Sequence, residues 1–253
     1  MKATERFGDR AEDYAAGRPS YPGRALDVLF AGIGDSAAVV AVDLGAGTGI
    51  SSRLLAARGA QVIAVEPNAS MRATAQPCPG MRWIDAPAEA TTLPNASADL
   101  VTSFQAFHWF APDAALGEIL RILRPGGRAA VVYNERNEDD PFTHAYGEIV
   151  RRFSTDDTEP RRDRGRETFA AFPRWFDVRI VDVPNEHRLD HRGLRARARS
   201  TSYLPHEGPA LERLDAELDR IFERFNTSDT VTMRMRTSVT LAEADTTGTT
   251  RRA

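Results

Sequence analysis

The sequence predicts an α/β fold built on a doubly wound, mostly parallel sheet of seven strands, with an antiparallel edge strand and added helices. Short β-branched runs alternate with helical stretches between Val39 and Tyr133, and the turn Gly45-Ala46-Gly47-Thr48-Gly49 joins the first run to the first helix. Two more strand-like runs follow residue 175. Strands that alternate with helices form a parallel sheet covered on both faces, which binds ligands at the carboxyl ends of its strands.

The run ending at Asp43 reads as a buried strand, after which Ile50, Leu54 and Leu55 share a helical face until Gly59 gives a stop signal. QVIAVE, ending at Glu66, is the second strand; Met81 to Asp85, Asp99 to Phe104 and Arg128 to Tyr133 are the third, fourth and fifth. Leu116, Ile119, Leu120 and Leu123 repeat at helical spacing behind Pro112, a favourable first-turn residue. From Asn134 to Arg174 the chain is polar and rich in charge, and Pro141 and Pro160 break any long helix, so the stretch reads as helical insertions and loops. Phe176 to Val183 reads as a strand, and Leu211 to Phe225 as an amphipathic helix. The alternation of Val231, Met233, Met235, Val239 and Leu241 with Thr and Arg gives a half-exposed strand suited to an antiparallel edge. The expected organisation is a lid and first helix over 1–38, a ligand-binding core over 39–135, a helical insertion with C-terminal strands completing the same domain over 136–245, and a disordered tail over 246–253.

A chain of 253 residues with 42% hydrophobic residues can bury a sizeable core. Its net charge of −3 supplies no positive field for nucleic acid or a membrane surface, so neither is an expected partner. No apolar run reaches the length of a bilayer span and the first residues lack a secretory apolar region, which predicts a cytoplasmic location. Cys78, between two prolines, reads as an incidental loop thiol. Lys2 is the single lysine, so Schiff-base chemistry has no plausible nucleophile.

Closely spaced glycines let the backbone turn tightly and let a ligand approach without meeting a Cβ atom, which suits a nucleotide-like ligand. Ile50 stands where a dinucleotide fingerprint needs its third glycine, so the turn argues against NAD and against an oxidoreductase. About twenty residues on, Glu66 ends the second strand, where a carboxylate would accept hydrogen bonds from both ribose hydroxyls.

At these residues the chain resembles the class I S-adenosylmethionine-dependent methyltransferases, which have a Rossmann-like fold. The likeness continues through AEATTLP around Glu89, ADLVTSFQAFHWF from Ala98 to Phe110, LRPGG from Leu123 to Gly127 and the opening from Arg18 to Pro22. These segments are similar to a small-molecule subgroup that includes trans-aconitate-type methyltransferases, and a weaker likeness extends to Ser200 to Pro205. The resemblance implies S-adenosyl-L-methionine as cofactor. Asp43 and the backbone of Gly45 and Gly47 would face its methionine part, Glu66 its ribose, Ala88 and Glu89 its adenine, and Gln105 its methionine end; Ala46 and Pro67 would also belong to the cofactor site. Where the family often has Gly-Asp-Ala, this chain has Ala86-Pro87-Ala88, which removes an aspartate contact to the adenine amine.

Methyl transfer from a sulfonium needs close alignment and exclusion of water more than a catalytic triad. A phenol, amine or acidic carbon also needs a base, and His108, beside Trp109 and Phe110, is the candidate; the competing reading has His108 bonded to a loop carbonyl and shaping a wall. Tyr14, Arg18 and Tyr21 read as a lid over the cofactor's amino-acid end, or as a solvated terminus. Arg195, Arg197 and Arg199 could bind an acidic substrate, but a helix would spread them over different faces, so they read as a solvated charge run. No histidines stand at metal-ligand spacing on a recognisable helix, so no metal is expected. The expected partner is a small-molecule methyl acceptor, a carboxylate or natural-product intermediate among the candidates, methylated at O, N or C by a monomer or homodimer. The alternative is a protein of this fold repurposed as a non-methylating cyclase or a cofactor-binding regulatory module.

Overall fold

The computed structural model describes residues 19–244, so Tyr14, Arg18 and the expected tail lie outside the described residues. Strands β1 (Val40–Leu44), β2 (Gln61–Val65), β3 (Met81–Ile84), β4 (Ala98–Phe104), β5 (Leu123–Arg136), β6 (Trp175–Leu189) and β7 (Val231–Ala244) form one sheet in the order 3-2-1-4-5-7-6. β1 to β5 are parallel. β7 runs antiparallel to both β5 and β6. The strand order reverses at β1, between β2 and β4, and a crevice opens beyond such a reversal.

Side chains alternate across each strand, so Val131 and Val132 enter opposite cores. On one face, helices α1 (Gly23–Phe30) and α2 (Ile50–Ala56) bury Leu26, Leu29 and Leu55 against Val62, Leu100 and Val132. Helix α3 (Ala69–Ala73) is a single short turn after β2. On the other face, α4 (Pro112–Ile122) presents Leu116 and Ile119 to Val42 and Val131. A third cluster joins α5 (Pro141–Phe153), α7 (His191–Arg199) and α8 (Gly208–Phe225) to the start of β7 through residues such as Tyr146, Leu194, Leu218 and Met233. Helix α6 (Thr158–Ala170) has no apolar stripe and buries only Thr158 and Phe169. No described helix is long and apolar enough to cross a membrane.

Several expectations are corrected. The antiparallel strand is β7, as expected, but it lies inside the sheet, and β6 forms the edge. Ser238 and Thr240, on the polar side of the alternation, are buried there, and Thr237, in phase with the apolar residues, donates its hydroxyl to Asn134 Oδ1 at 2.5 Å. Pro141 and Pro160 do divide this stretch into separate helices, as expected: Pro141 is the first residue of α5, and Pro160 sits in the first turn of α6, where backbone N–H groups have no intrahelical partner. The arginines of α7 are not a solvated run, since Arg195 pairs with Asp219 at 2.6 Å and Arg199 with Asp215 at 2.8 Å across the α7–α8 contact. Tyr21 is anchored, its ring packing edge-on against Phe104 with centroids 4.7 Å apart.

Candidate active site

The turn after β1 places Gly45, Gly47 and Gly49 at positive φ. At Gly45 the constraint is also steric, because a Cβ there would stand 2.6 Å from the Ala106 Cβ. The Gly45 and Ala46 amides donate to Val65 O at 2.9 and 3.1 Å, fixing the turn to the end of β2.

Asp43 supports this turn from behind. Its Oδ2 accepts from the Ser51 and Ser52 hydroxyls, each at 2.6 Å, and its Oδ1 from Thr102 at 3.1 Å. These bonds tie β1, α2 and β4 together. The side chain is fully buried and lines neither cavity of the site, so it does not border the open space there. Burial pushes its carboxyl up to about 6, against the pull of the three hydroxyls.

Glu66 does face that space. Its Oε2 accepts from the Gly47 amide and its Oε1 from the Asn68 amide, both at 2.9 Å. Burial raises its pKa, and the two amides oppose the shift. Glu66, Pro67, Gly45 and Gly47 form one side of a cleft of about 190 Å³; Ala88, Glu89 and Gln105 complete it. Ala46 lies beside it, lining a crevice of about 30 Å³ with Tyr21 and Thr48. The loop carrying Ala88 is pinned to α4, whose Glu118 Oε1 accepts from the Thr91 amide and hydroxyl at 2.7 and 2.6 Å. Glu89 Oε1 accepts from the Ala111 amide at 2.7 Å, just ahead of α4. Asn68, Met71, Trp109 and Phe110 also line the cleft. Asn68 could have been singled out, since an asparagine just ahead of a helical turn is a cap; its Oδ1 accepts from the Met71 amide at 3.1 Å.

A second, polar cavity of about 500 Å³ adjoins the cleft, and Gln105 and Trp109 border both. Gln105 has φ +55°, which is unusual for a residue other than glycine, and its Nε2 donates to Asn134 O at 3.0 Å. His108 belongs to a 3-10 turn, Phe107–Trp109, and lines the larger cavity. Its Nδ1 lies 3.3 Å from the Tyr133 hydroxyl, so a phenol is one of its partners. Burial pushes the Tyr133 phenol up to about 12, which keeps it protonated at neutral pH. Helix α6 closes over this turn at Gly165, where a Cβ would stand 3.3 Å from His108 Cα.

Ion pairs line the rest of the larger cavity. Arg136 bonds Glu138 and Glu159 at 3.3 and 2.7 Å, and Arg166 pairs with Glu135 and with Asp163 at 2.9 Å. No cluster of His, Cys, Asp or Glu able to hold a metal occurs among the described residues. Tyr133, Arg136 and Arg162 were not singled out from sequence, because no motif marks them and α6 carries no apolar periodicity.

Comparison with known proteins places this geometry in context. Residues 42–131 match the family described as a methyltransferase domain. An uncharacterized methyltransferase of Mycobacterium bovis is 40% identical over 62% of this chain and 62% of its own length, so the match spans under two thirds of that relative. An uncharacterized methyltransferase-like protein of Schizosaccharomyces pombe is 30% identical over 85% of both chains. A trans-aconitate 2-methyltransferase of an Azoarcus species is 42% identical over 42% of this chain and 43% of that one. Among solved structures, a candidate type II methyltransferase from Anaeromyxobacter dehalogenans aligns with a TM-score of 0.66 at 23% identity, covering 90% of this chain and 98% of that one.

Proposed function

Because this chain belongs to a methyltransferase family, we propose that the cleft at the glycine turn binds S-adenosylmethionine and that the adjoining cavity receives a small-molecule methyl acceptor. The observation that carries this reading is the wall shared by the two cavities, where Gln105 and Trp109 border both. A methyl group leaving one space for the other would cross there.

The cleft's residues fit the cofactor. Each oxygen of Glu66 takes one backbone amide, which aims the carboxylate and leaves lone pairs for the ribose hydroxyls. Gly45, which lines the cleft, carries no side chain because Ala106 and Phe110 pack against it. Pro67, Met71, Ala88 and Phe110 offer an apolar slot for the adenine ring. Asp43 acts indirectly, by holding the turn in shape. When bound, S-adenosylmethionine supplies an electrophilic methyl group on a sulfonium.

The chain's own part is alignment and exclusion of water, which suffice for an acceptor that is already anionic at the reacting atom. For a phenol, amine or acidic carbon, His108 would take the departing proton, with Tyr133 orienting its ring. The trans-aconitate 2-methyltransferase relative supports a small acceptor. Calorimetric titration with S-adenosylhomocysteine, followed by a screen of small carboxylates, phenols and amines for cofactor-dependent gain of one methyl mass, tests the reading. Failure of the protein to bind S-adenosylhomocysteine or S-adenosylmethionine would overturn it.

A further inference from the structure

The arginines around the larger cavity are not equivalent. Arg136, Arg166 and Arg236 each face at least one carboxylate, with Arg236 bonding Glu135 at 2.8 Å. Arg162 has no carboxylate within ion-pairing distance among the described residues. Its Nη2 donates to Asn134 O at 3.0 Å, its guanidinium carbon stands 5.3 Å from the Tyr133 ring centroid, and its Nε is buried without a hydrogen bond. A buried N–H left unpaired is costly, and a guanidinium has five donors in a fork that matches two oxygens of an anion.

The position of Arg162 gives this fork a purpose. Gln105 Nε2 and Arg162 Nη2 converge on the same Asn134 carbonyl, each at 3.0 Å, so Arg162 sits at the wall shared with the cofactor cleft. The ring beneath it belongs to Tyr133, whose hydroxyl meets His108. An acceptor placed for transfer therefore passes this cation.

We propose that Arg162 determines acceptor specificity: it receives an anionic group of the methyl acceptor, so the protein selects small molecules bearing a carboxylate or phosphate near the reacting atom. The inference rests on the acceptor reading of the larger cavity. Carboxylate and phosphate share the chemistry of two or more anionic oxygens within reach of one fork.

The test uses the full chain saturated with S-adenosylhomocysteine and titrated calorimetrically with malonate, inorganic phosphate and uncharged malonamide. Wild type is expected to bind at least one anion and not malonamide. Arg162→Gln is expected to weaken the anion about 10- to 100-fold, as for loss of a charge-assisted hydrogen bond, with S-adenosylhomocysteine affinity unchanged as evidence of folding. Arg164→Gln, which removes an exposed partner of Asp157 on the same helix, should change neither. The proposal is overturned if neither anion binds the loaded wild type, if Arg162→Gln binds the anion as well as wild type, or if malonamide binds equally. Loss of S-adenosylhomocysteine binding in wild type would instead overturn the cofactor reading and this inference with it.

Discussion

Gly45→Ala puts a methyl group where the glycine turn meets the segment leading to His108. The added Cβ would stand 2.6 Å from the Ala106 Cβ and 3.1 Å from the Phe110 ring. Unstrained carbon contacts lie at about 3.5–4.0 Å, so one partner must retreat by about 1 Å. Phe110 can turn; the Ala106 methyl has no rotamer, so the backbone has to move. Overpacking of this kind costs about 1–3 kcal/mol. The φ of +67° adds about 1–2 kcal/mol for any residue with a Cβ. The combined loss of about 2–5 kcal/mol is a large share of the roughly 5–15 kcal/mol that holds a domain together. Gly126→Ala supplies the control, since Gly126 has φ +74° and nothing within 4 Å of its added Cβ, so it should lose only the backbone part. Urea unfolding followed by tryptophan fluorescence measures both. Equal losses in the two variants would refute the steric argument, and with it the claim that the turn is wedged against Ala106.

Three further perturbations address the site. Glu66→Ala should weaken S-adenosylmethionine binding by about 1–3 kcal/mol by calorimetry, because two ribose hydroxyls lose a charged acceptor; unchanged affinity in a folded variant removes Glu66 from the site. Asp43 has a folded pKa of about 6 against 3.8 in the unfolded chain, so the native state keeps a proton that the unfolded state releases. Stability should therefore fall as pH rises from about 4 to about 6, by on the order of 3 kcal/mol. Asp43→Asn should remove that slope, and parallel unfolding curves for the two proteins across this window would contradict the buried-carboxylate account. His108→Ala should lower turnover about 100-fold, retain cofactor affinity and flatten the acidic limb of the rate profile; a small, pH-independent loss would leave His108 as a wall residue.

The parallel half of the sheet was legible because β1 and β2 are β-branched runs with almost every residue buried and the turn after β1 announces itself with glycine. The later half was harder. Ser238 and Thr240 look solvent-facing by residue type, but both are buried inside the sheet, so a polar alternation concealed an interior strand. In the cleft, Glu66 could be found from its distance to the turn. Asp43 could not be assigned its supporting role, because the hydroxyl of Thr102 reaches it from a strand 59 residues away. Arg162 was invisible for a similar reason: α6 is held by ion pairs to Glu135 and Arg136 of β5 and by its approach to His108, and neither leaves a periodic mark in the sequence.

The third hydrophobic cluster has a consequence for how such a chain can change. Tyr146, Tyr203 and Met235 belong to that cluster and also line the larger cavity, whereas the glycine turn and Glu66 rest on β1, β2 and β4. Substitutions that repack α5, α7 and α8 would reshape the space beside His108 while leaving the cleft's hydrogen bonds in place. One end of the sheet can thus be held constant by the demands of its ligand as the other drifts, and a lineage could acquire new acceptors by revising its helical annex alone.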